Sequence, residues 1–270
     1  MKWLRRITIG LLAVFALAYV LVLGVMYFMQ RDFQYDRSGR LFDLGETKLD
    51  KAELVSIPTD DGSPLAAWYE PPQPGKPLIL YFRGNAQSFS REHERYEAFV
   101  ADGYGFVAFD YRGFPGSPGE ISEKNILADG LAAYDWAKGR GFPIVLWGRS
   151  LGSGPATWVA RQREAEALFL ETPFDSAVSV GMDRYWFLPV GLLMFDQFPV
   201  DTWIAGVSEP VFVAHGTDDT TIAVAHGKRL YALAPNPDGL WIEPGGDHGN
   251  LWARGLWDRA RAFFARHEAN

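Results

Sequence analysis

The sequence predicts an α/β fold built on a mostly parallel sheet of eight strands, with helices on both faces. Short apolar runs bounded by Gly, Pro or Asp recur along the chain, and the later runs alternate with helical stretches. These later runs lack an alternation of apolar and polar residues, which is typical of parallel strands covered on both sides. Because crossovers between parallel strands are right-handed, the intervening helices are expected to cover both faces of one sheet.

The predicted elements follow one another from residue 54 to the C-terminus. The strands are Leu54–Ile57, Leu65–Tyr69, Leu78–Phe82, Phe106–Phe109, Ile144–Trp147, Leu168–Leu170, Val211–Ala214 and Leu240–Ile242. The helices are Arg91–Ala101, Asn125–Arg140, Gly154–Arg163, Val224–Ala234 and Leu251–Arg266. A turn at Pro71–Gly75 separates the second and third strands.

Composition and charge exclude several classes of protein. Hydrophobic residues make up 48 % of the 270 residues and charged residues 22 %, which excludes an intrinsically disordered chain. The formal net charge is −7 and no basic block lies outside the extreme N-terminus, which argues against nucleic acid as a partner. The chain has no cysteine, so a disulfide scaffold, a thiolate nucleophile and a cysteine zinc site are excluded.

The N-terminal segment has the length and composition of a membrane anchor. Ile7–Met29 contains no charged residue, and only Thr8, Gly10 and Gly24 are not apolar. An α-helix of this length spans about 34 Å, enough to cross about 30 Å of bilayer hydrocarbon. We therefore expect a membrane anchor over residues 1–30, joined to one globular domain over residues 31–270.

A cleaved signal peptide is the alternative interpretation of this segment. Lys2, Arg5 and Arg6 would form its basic region, and Ala16-Leu17-Ala18 would be the cleavage site. The apolar run continues for eleven residues beyond Ala18, which favours a retained signal anchor.

Charge alone does not decide the orientation of the anchor. Three basic residues before the span, Lys2, Arg5 and Arg6, are matched in number by Arg31, Arg37 and Arg40 after it. The N-terminal tail is short, and long C-terminal domains translocate largely regardless of charge. We therefore expect a single-pass membrane protein with a cytoplasmic N-terminus and an extracytoplasmic domain.

The sequence Gly148-Arg149-Ser150-Leu151-Gly152 indicates a candidate nucleophile. It lies between a predicted strand and a predicted helix, which is the context of a G-x-S-x-G nucleophile elbow. Glycines on both sides of the serine remove steric clashes in that strained turn, and the helix N-terminus favours negative charge beside Ser150.

Two further segments supply the partners that a serine nucleophile requires. His215-Gly216-Thr217-Asp218-Asp219 follows the Val211–Ala214 strand, and Gly245-Gly246-Asp247-His248-Gly249 follows the Leu240–Ile242 strand. A serine hydroxyl needs a base, and the base needs a carboxylate that holds its tautomer. Ser, then Asp, then His at the ends of successive strands is the chain order of α/β-hydrolases.

Five histidines compete for the role of the base. His267 lies in a polar tail, and His93 and His226 lie in or beside helices. His215 lies at a strand end, where it is expected to stabilise a turn. His248 lies in a short loop between a strand and a helix, from which an imidazole can reach the sheet edge, so His248 is predicted as the base.

From about Ala52 onward the chain resembles the α/β-hydrolases of the Bem46 and ABHD13/ABHD17 type. The motifs that carry the resemblance are Tyr81-Phe82-Arg83-Gly84-Asn85-Ala86, Phe109-Asp110-Tyr111-Arg112-Gly113-Phe114, Gly148–Gly152, Glu171-Thr172-Pro173-Phe174, His215–Asp219 and Asp247-His248. The resemblance implies an α/β-hydrolase fold with a short helical lid, and Asp219 as the carboxylate, with Asp218 as the alternative.

The oxyanion hole is expected to use two backbone N–H groups. One belongs to Leu151, directly after the nucleophile, and the other to Asn85 in the loop after the third strand, with Ala86 as the alternative. Arg83 departs from the family, in which a histidine is usual at this position. Arg83 is expected to pair with a nearby carboxylate, and contact with an anionic substrate group is the alternative.

Specificity is expected to come from a lid over residues 171–210. Its segment Tyr185–Phe195, here called the apolar lid segment, contains no charged residue. Two short helices packed on the sheet explain most of these side chains, and the surplus suits either an acyl-binding wall or a patch in contact with the membrane. Trp186, Phe187, Leu192 and Met194 are the predicted substrate-binding residues.

Together these features predict a membrane-anchored serine esterase of the carboxylesterase or thioesterase kind. An ester or thioester with an apolar acyl group is the expected substrate, partly because the family includes depalmitoylases. A serine peptidase of the aminopeptidase type and a catalytically silent, membrane-tethered binding protein are the alternatives. The expected partners are a small-molecule or lipid-like acyl substrate and the membrane, and no metal or organic cofactor is implied.

Overall fold

The computed structural model describes residues 1–268. Its strands are β1 (Glu53–Ile57), β2 (Leu65–Glu70), β3 (Leu78–Phe82), β4 (Gly105–Phe109), β5 (Ile144–Arg149), β6 (Ala167–Glu171), β7 (Val211–Gly216) and β8 (Pro237–Glu243). Its helices are α1 (Lys2–Gln34), α2 (His93–Ala101), α3 (Glu123–Lys138), α4 (Ser153–Gln162), α5 (Ala177–Arg184), α6 (Val190–Leu193), α7 (Val200–Ile204), α8 (Val224–Leu233) and α9 (Leu256–Phe264).

The strands form one eight-stranded sheet in the order β1-β2-β4-β3-β5-β6-β7-β8. β2 pairs antiparallel with β1 and β4, whereas all pairs from β4 to β8 are parallel. The predicted mostly parallel sheet of eight strands is therefore confirmed. Because the parallel strands share one direction, the loops after β3, β5, β7 and β8 meet at the same edge of the sheet.

Helices cover both faces of the sheet, as predicted. Alternate residues of β3 belong to different cores: Leu80 lies in a cluster with side chains of α3, α4, α7 and α8, and Tyr81 lies in a cluster with α2 and α9. Successive side chains of a strand point to opposite faces, so a fully buried strand of this kind needs apolar residues at every position.

Three predicted elements differ from the structure. The anchor helix is longer than Ile7–Met29, since α1 runs from Lys2 to Gln34. The predicted last helix is divided into a short turn at Trp252–Arg254 and α9, with Gly255 between them at a φ of 91°. The lid contains three short helices, α5, α6 and α7, rather than two, and the residues of α7 pack into the core.

α1 is the one helix among residues 1–268 that is long and apolar enough to cross a membrane. Its C-terminal half does not stand apart from the domain. Gln30 donates to the carbonyl oxygen of Leu193 at 3.0 Å, and Arg31 contacts the Asp196 carboxylate at 2.9 Å. Tyr35, directly after the helix, is buried in the core. The helix therefore leaves the domain beside the lid.

Candidate active site

Ser150 lies on a strained turn between β5 and α4. Its φ is +49°, in the left-handed region that residues other than glycine rarely adopt. A Cβ atom at Gly148 would lie 2.7 Å from the Cβ of Ala156, and one at Gly152 would lie 2.0 Å from the carbonyl oxygen of Phe82. Both positions therefore require glycine, as the elbow motif predicted.

A chain of hydrogen bonds joins Ser150, His248 and Asp219. The Oγ of Ser150 lies 2.9 Å from Nε2 of His248, and Nδ1 of His248 lies 2.8 Å from Oδ2 of Asp219. The three residues follow β5, β8 and β7, whose C-terminal ends share one sheet edge. With Nδ1–H donating to the carboxylate, Nε2 is left free to accept the serine proton.

The surroundings of Asp219 keep its carboxylate charged. Burial alone would raise the pKa of this carboxyl, but hydrogen bonds with His215 and His248 hold the pKa well below its usual range. The backbone N–H groups of Thr221 and Ile222 each donate to its Oδ1 at 2.9 Å. An ionised, immobilised carboxylate is what the orientation of an imidazole requires.

The two competing residues do not contact Ser150, although Nε2 of His215 lies 3.2 Å from Oδ2 of Asp219. The Asp218 carboxylate accepts from the hydroxyl of its neighbour Thr217 at 2.8 Å, on the exposed side of the loop. His215 is fully buried, and its Nε2 lies 2.9 Å from the carbonyl oxygen of Ile222. His215 thus braces the loop that carries Asp219, which matches the turn-stabilising position predicted for it.

Asn85 and Ala86 lie beside the serine, in the loop after β3. Gly84, Asn85 and Ala86 line the same cavity as Ser150 and Leu151. The Asn85 side chain donates to the carbonyl oxygen of Gln34 at 2.8 Å, and its oxygen accepts from the N–H of Asp36 at 3.2 Å. The loop predicted to supply an oxyanion donor is therefore fastened to the end of α1.

Arg83 is fully buried beneath this loop. It donates to the carbonyl oxygen of Ala86 at 2.6 Å, and its Nε lies 3.2 Å from Oδ1 of Asp110. Its guanidinium also lies over the ring of Phe114, 4.3 Å from the centroid. The predicted pairing with a carboxylate is confirmed. Burial raises the pKa of Asp110 to about 6, against the opposing effect of Arg83.

A second set of buried charges holds the end of β5 in place. Arg149 contacts Glu92 at 3.1 Å and Glu171 at 3.2 Å, and Arg95 forms two hydrogen bonds of 2.8 Å with Glu171. Although burial opposes it, Arg149 and Arg95 hold the pKa of Glu92 below its usual range. Two arginines and two glutamates balance in charge, so the residue before Ser150 has one structural partner directly before α2 and another on β6.

A mainly apolar cavity of about 480 Å³ opens above Ser150 and His248. Its lid wall is formed by Ala177, Val180, Gly181, Arg184, Tyr185, Leu188, Val190, Leu193 and Met194. Of the four predicted substrate-binding residues, Met194 lines it, whereas Trp186, Phe187 and Leu192 do not. That prediction is corrected for these three, because the lid helices turn one side of the segment inward and leave the other outside.

The opposite wall comes from α1, which the sequence did not indicate. Met26, Gln30, Phe33 and Gln34 line the cavity. Their spacing of three or four residues places them on one face of the helix. The available signal in the sequence was the pair Gln30 and Gln34, which lie four residues apart at the end of the apolar run. It is too weak to show that an anchor helix borders a site.

No protein-family model matches the chain. The uncharacterized protein Rv2307c of Mycobacterium tuberculosis is 34 % identical over 264 residues, which cover 93 % of this chain and 94 % of that protein. The lysophosphatidylserine lipase ABHD12 of Danio rerio is 35 % identical over 198 residues, or 65 % of this chain and 52 % of that protein. The chain thus spans about half the length of its ABHD12 relatives.

Solved structures share the fold. The Pyrococcus furiosus esterase Pf2001 superimposes with a TM-score of 0.71 and 20 % identity, over 87 % of this chain and 99 % of that one. A soluble variant of the monoglyceride lipase of Saccharomyces cerevisiae gives a TM-score of 0.65 and 17 % identity, over 86 % and 100 % of the two chains.

The fold is that of the α/β-hydrolases, and the relatives include proteins of the ABHD group. The chain belongs to the α/β-hydrolase superfamily. The membership that its motifs predicted is therefore confirmed.

Proposed function

We propose that this protein is a membrane-anchored serine hydrolase that cleaves an ester or thioester of an apolar acyl group. The observation that carries the proposal is the hydrogen-bonded series from Ser150 through His248 to Asp219 at the mouth of an apolar cavity. Esterases and lipases among its relatives and structural neighbours support ester hydrolysis.

The proposed reaction has two halves. Ser150 Oγ attacks the acyl carbonyl carbon as His248 Nε2 takes its proton, and the leaving alcohol or thiol then receives that proton. Water, activated by the same imidazole, attacks the acyl-enzyme, and the carboxylic acid leaves. Asp219 stabilises the imidazolium that forms in each half. The backbone N–H groups of Leu151 and Asn85 are proposed to hold the oxyanion.

An apolar acyl chain suits the cavity better than a peptide does. The lid wall offers Val180, Leu188, Leu193 and Met194 to the substrate. An aminopeptidase needs a carboxylate for the free amine of its substrate. The sole carboxylate among the lining residues belongs to Asp36, which already accepts hydrogen bonds from the hydroxyl and the N–H of Ser38. Since relatives bear the name lysophosphatidylserine lipase, a single-chain lipid ester is the substrate class we propose to test first.

We further propose that residues 1–30 anchor the domain of residues 31–270 on the extracytoplasmic side of the membrane.

Arg184 is exposed, lines the cavity and has no carboxylate partner within residues 1–268. We propose that its guanidinium binds an anionic headgroup of the substrate at the cavity.

A fluorophosphonate probe tests the chemistry directly. The full-length protein in detergent should become labelled, Ser150→Ala should not, and Ser208→Ala, on an exposed loop, should label like the wild type. Hydrolysis of p-nitrophenyl esters and acyl thioesters should disappear in the same variant. Absence of labelling in the wild type would support the silent binding protein instead.

A further inference from the structure

The apolar lid segment lies alongside the membrane-spanning part of α1. The Tyr19 hydroxyl donates to the carbonyl oxygen of Phe187 at 2.9 Å. Further along the helix, the rings of Tyr27 and Phe195 meet edge to face with centroids 4.9 Å apart. The lid segment therefore follows α1 from the level of Tyr19 to the level of Gln30.

These contacts set the depth of the lid relative to the anchor. Tyr19 precedes Met29, the last residue of the apolar run, by ten residues, which is about 15 Å along a helix. That distance is about half of a hydrocarbon core of about 30 Å. A lid that reaches Tyr19 therefore lies at the depth of one leaflet when the helix spans the bilayer.

The positions of the charges agree with this depth. Neither α1 between Ile7 and Gln30 nor the apolar lid segment contains a charged residue. The first charges after their C-terminal ends are Arg31 and Asp196, which form an ion pair of 2.9 Å. At these ends the two elements thus become polar at the same height, as expected at the boundary between hydrocarbon and headgroups. At its other end the lid segment follows Arg184, which lines the cavity.

The outward side of the lid segment is apolar and uncovered. Trp186 is 83 % exposed and Leu192 is 88 % exposed, and about half of Phe187 and Phe195 is exposed as well. A continuous apolar patch of this kind on a folded domain marks a surface that contacts something other than water. It continues directly onto the apolar surface of α1, whose occupant is the lipid leaflet.

We propose that the apolar lid segment inserts into the leaflet next to α1, and that the acyl chain of the substrate enters the cavity laterally from that leaflet. The insertion stands on the contacts above, and the lateral entry rests on the proposed function. Met26, Gln30 and Phe33 line the cavity from the membrane side, so the anchor helix itself forms part of the acyl-binding wall. An acyl chain between α1 and the lid passes from lipid to cavity without crossing water.

Depth-dependent quenching tests the insertion, and the cysteine-free chain makes single labels simple. Leu192→Cys in the full-length protein would carry an NBD fluorophore in phosphatidylcholine vesicles that contain nitroxide lipids. Leu54→Cys on β1 is the matched control, because Leu54 is also exposed, at 61 %. Trp186→Cys provides a second lid position.

Both lid labels should be quenched by nitroxides on the acyl chains, and the Leu54 label should not. Lid labels that behave like the Leu54 label would overturn the insertion. Lid labels that are shielded from water but are not quenched by nitroxides would show that the patch contacts a second copy or another protein. This measurement needs no catalysis, so its outcome is independent of the proposed function.

Lateral entry is tested by comparing two substrates. Trp186→Ser and Leu192→Ser should each lower kcat/KM for a lipid ester embedded in vesicles by about tenfold, since each removes one apolar side chain from the surface proposed to insert into the leaflet. Hydrolysis of a water-soluble short ester should not change. Equal effects on both substrates, or on neither, would overturn lateral entry.

Discussion

The Nδ1 atom of His226, on α8, lies 2.8 Å from the carboxylate of Asp175. Asp175 lies two residues before the lid helix α5. The Nε2 atom of His226 lies 3.2 Å from Asp183 near the other end of α5, and Arg229 lies 3.6 Å from Asp175. One imidazole thus fastens both ends of a lid helix to the domain. The hydrogen bond with Asp175 raises the pKa of His226, although burial opposes it.

This contact predicts a pH-dependent stability. Because the folded pKa of His226 is raised, its stabilisation is complete below about pH 6.5, the ordinary value, and is lost as the pH rises through the raised value. The pKa of Asp175 is lowered, so the carboxylate side of the contact is lost only in acid. His226→Gln should therefore cost about 1.5 kcal/mol near pH 6 and less at pH 9.

Thermal unfolding of wild type and His226→Gln across this pH range measures the difference. Ser208→Ala, which removes no titratable group from an exposed loop, is the control and should show no such trend. A constant difference in Tm at all pH values would show that the protonated imidazole is not what holds α5.

Asp219 and Asp218 should differ sharply in their effect on activity. Asp219→Asn should lower kcat by about 10⁴, because the amide favours the wrong imidazole tautomer. Asp218→Asn should change kcat by less than about tenfold, since the Asp218 carboxylate accepts from its neighbour Thr217 and not from His248. Ester hydrolysis by the two purified variants distinguishes them, and the reverse order would reject the assignment of Asp219.

Arg83 should be important for stability, although its position differs from the family pattern. Arg83→Met leaves the buried Asp110 carboxylate without its ion pair and should cost about 3 to 5 kcal/mol. Urea unfolding measures the loss. Arg83→Met with Asp110→Asn should recover part of it, because the uncompensated charge is gone. A single variant as stable as the wild type would mean that Ser88 and the Phe89 N–H suffice for Asp110.

The cavity wall should set the preferred acyl length. Four additional buried methylenes at about 0.8 kcal/mol each should raise kcat/KM by about two orders of magnitude between acetyl and medium-chain esters. Met194→Trp should reduce this preference by filling the cavity, whereas Leu192→Trp, two residues away and outside it, should not. The chain-length preference of both variants is measured with a series of p-nitrophenyl esters. Identical chain-length profiles would show that the acyl chain does not bind beside Met194.

Removal of the anchor should separate solubility from specificity. The full-length protein should sediment with membranes and resist extraction by carbonate, and a protein that begins at Arg31 should be soluble because the sheet buries its own core. The shortened protein lacks Met26 and Gln30 and should prefer medium-chain esters less strongly than the full-length protein in detergent. An unchanged preference would show that α1 does not contribute to the acyl wall.

Local sequence was sufficient to predict most of the fold. Strand and helix periodicity depends on neighbours along the chain, so the eight strands and the sheet were predicted to within a few residues of their observed bounds. The turn at Ser150 was predictable from its motif. The clashes that demand Gly148 arise within a few residues along the chain, whereas those that demand Gly152 come from the end of the neighbouring strand β3. Chain order was enough to predict that a serine, an aspartate and a histidine meet at one sheet edge, and the family resemblance selected Asp219 over Asp218.

Only tertiary contacts decided which residues face the cavity. The apolar lid segment is uniformly apolar, so its sequence does not show that Met194 points inward while Trp186, Phe187 and Leu192 point outward. Three short helices, each too short for a clear period, set that direction through packing. The α1 wall depends likewise on where the helix leaves the domain, which the bonds from Gln30 and Arg31 to the lid determine across more than 160 residues of chain.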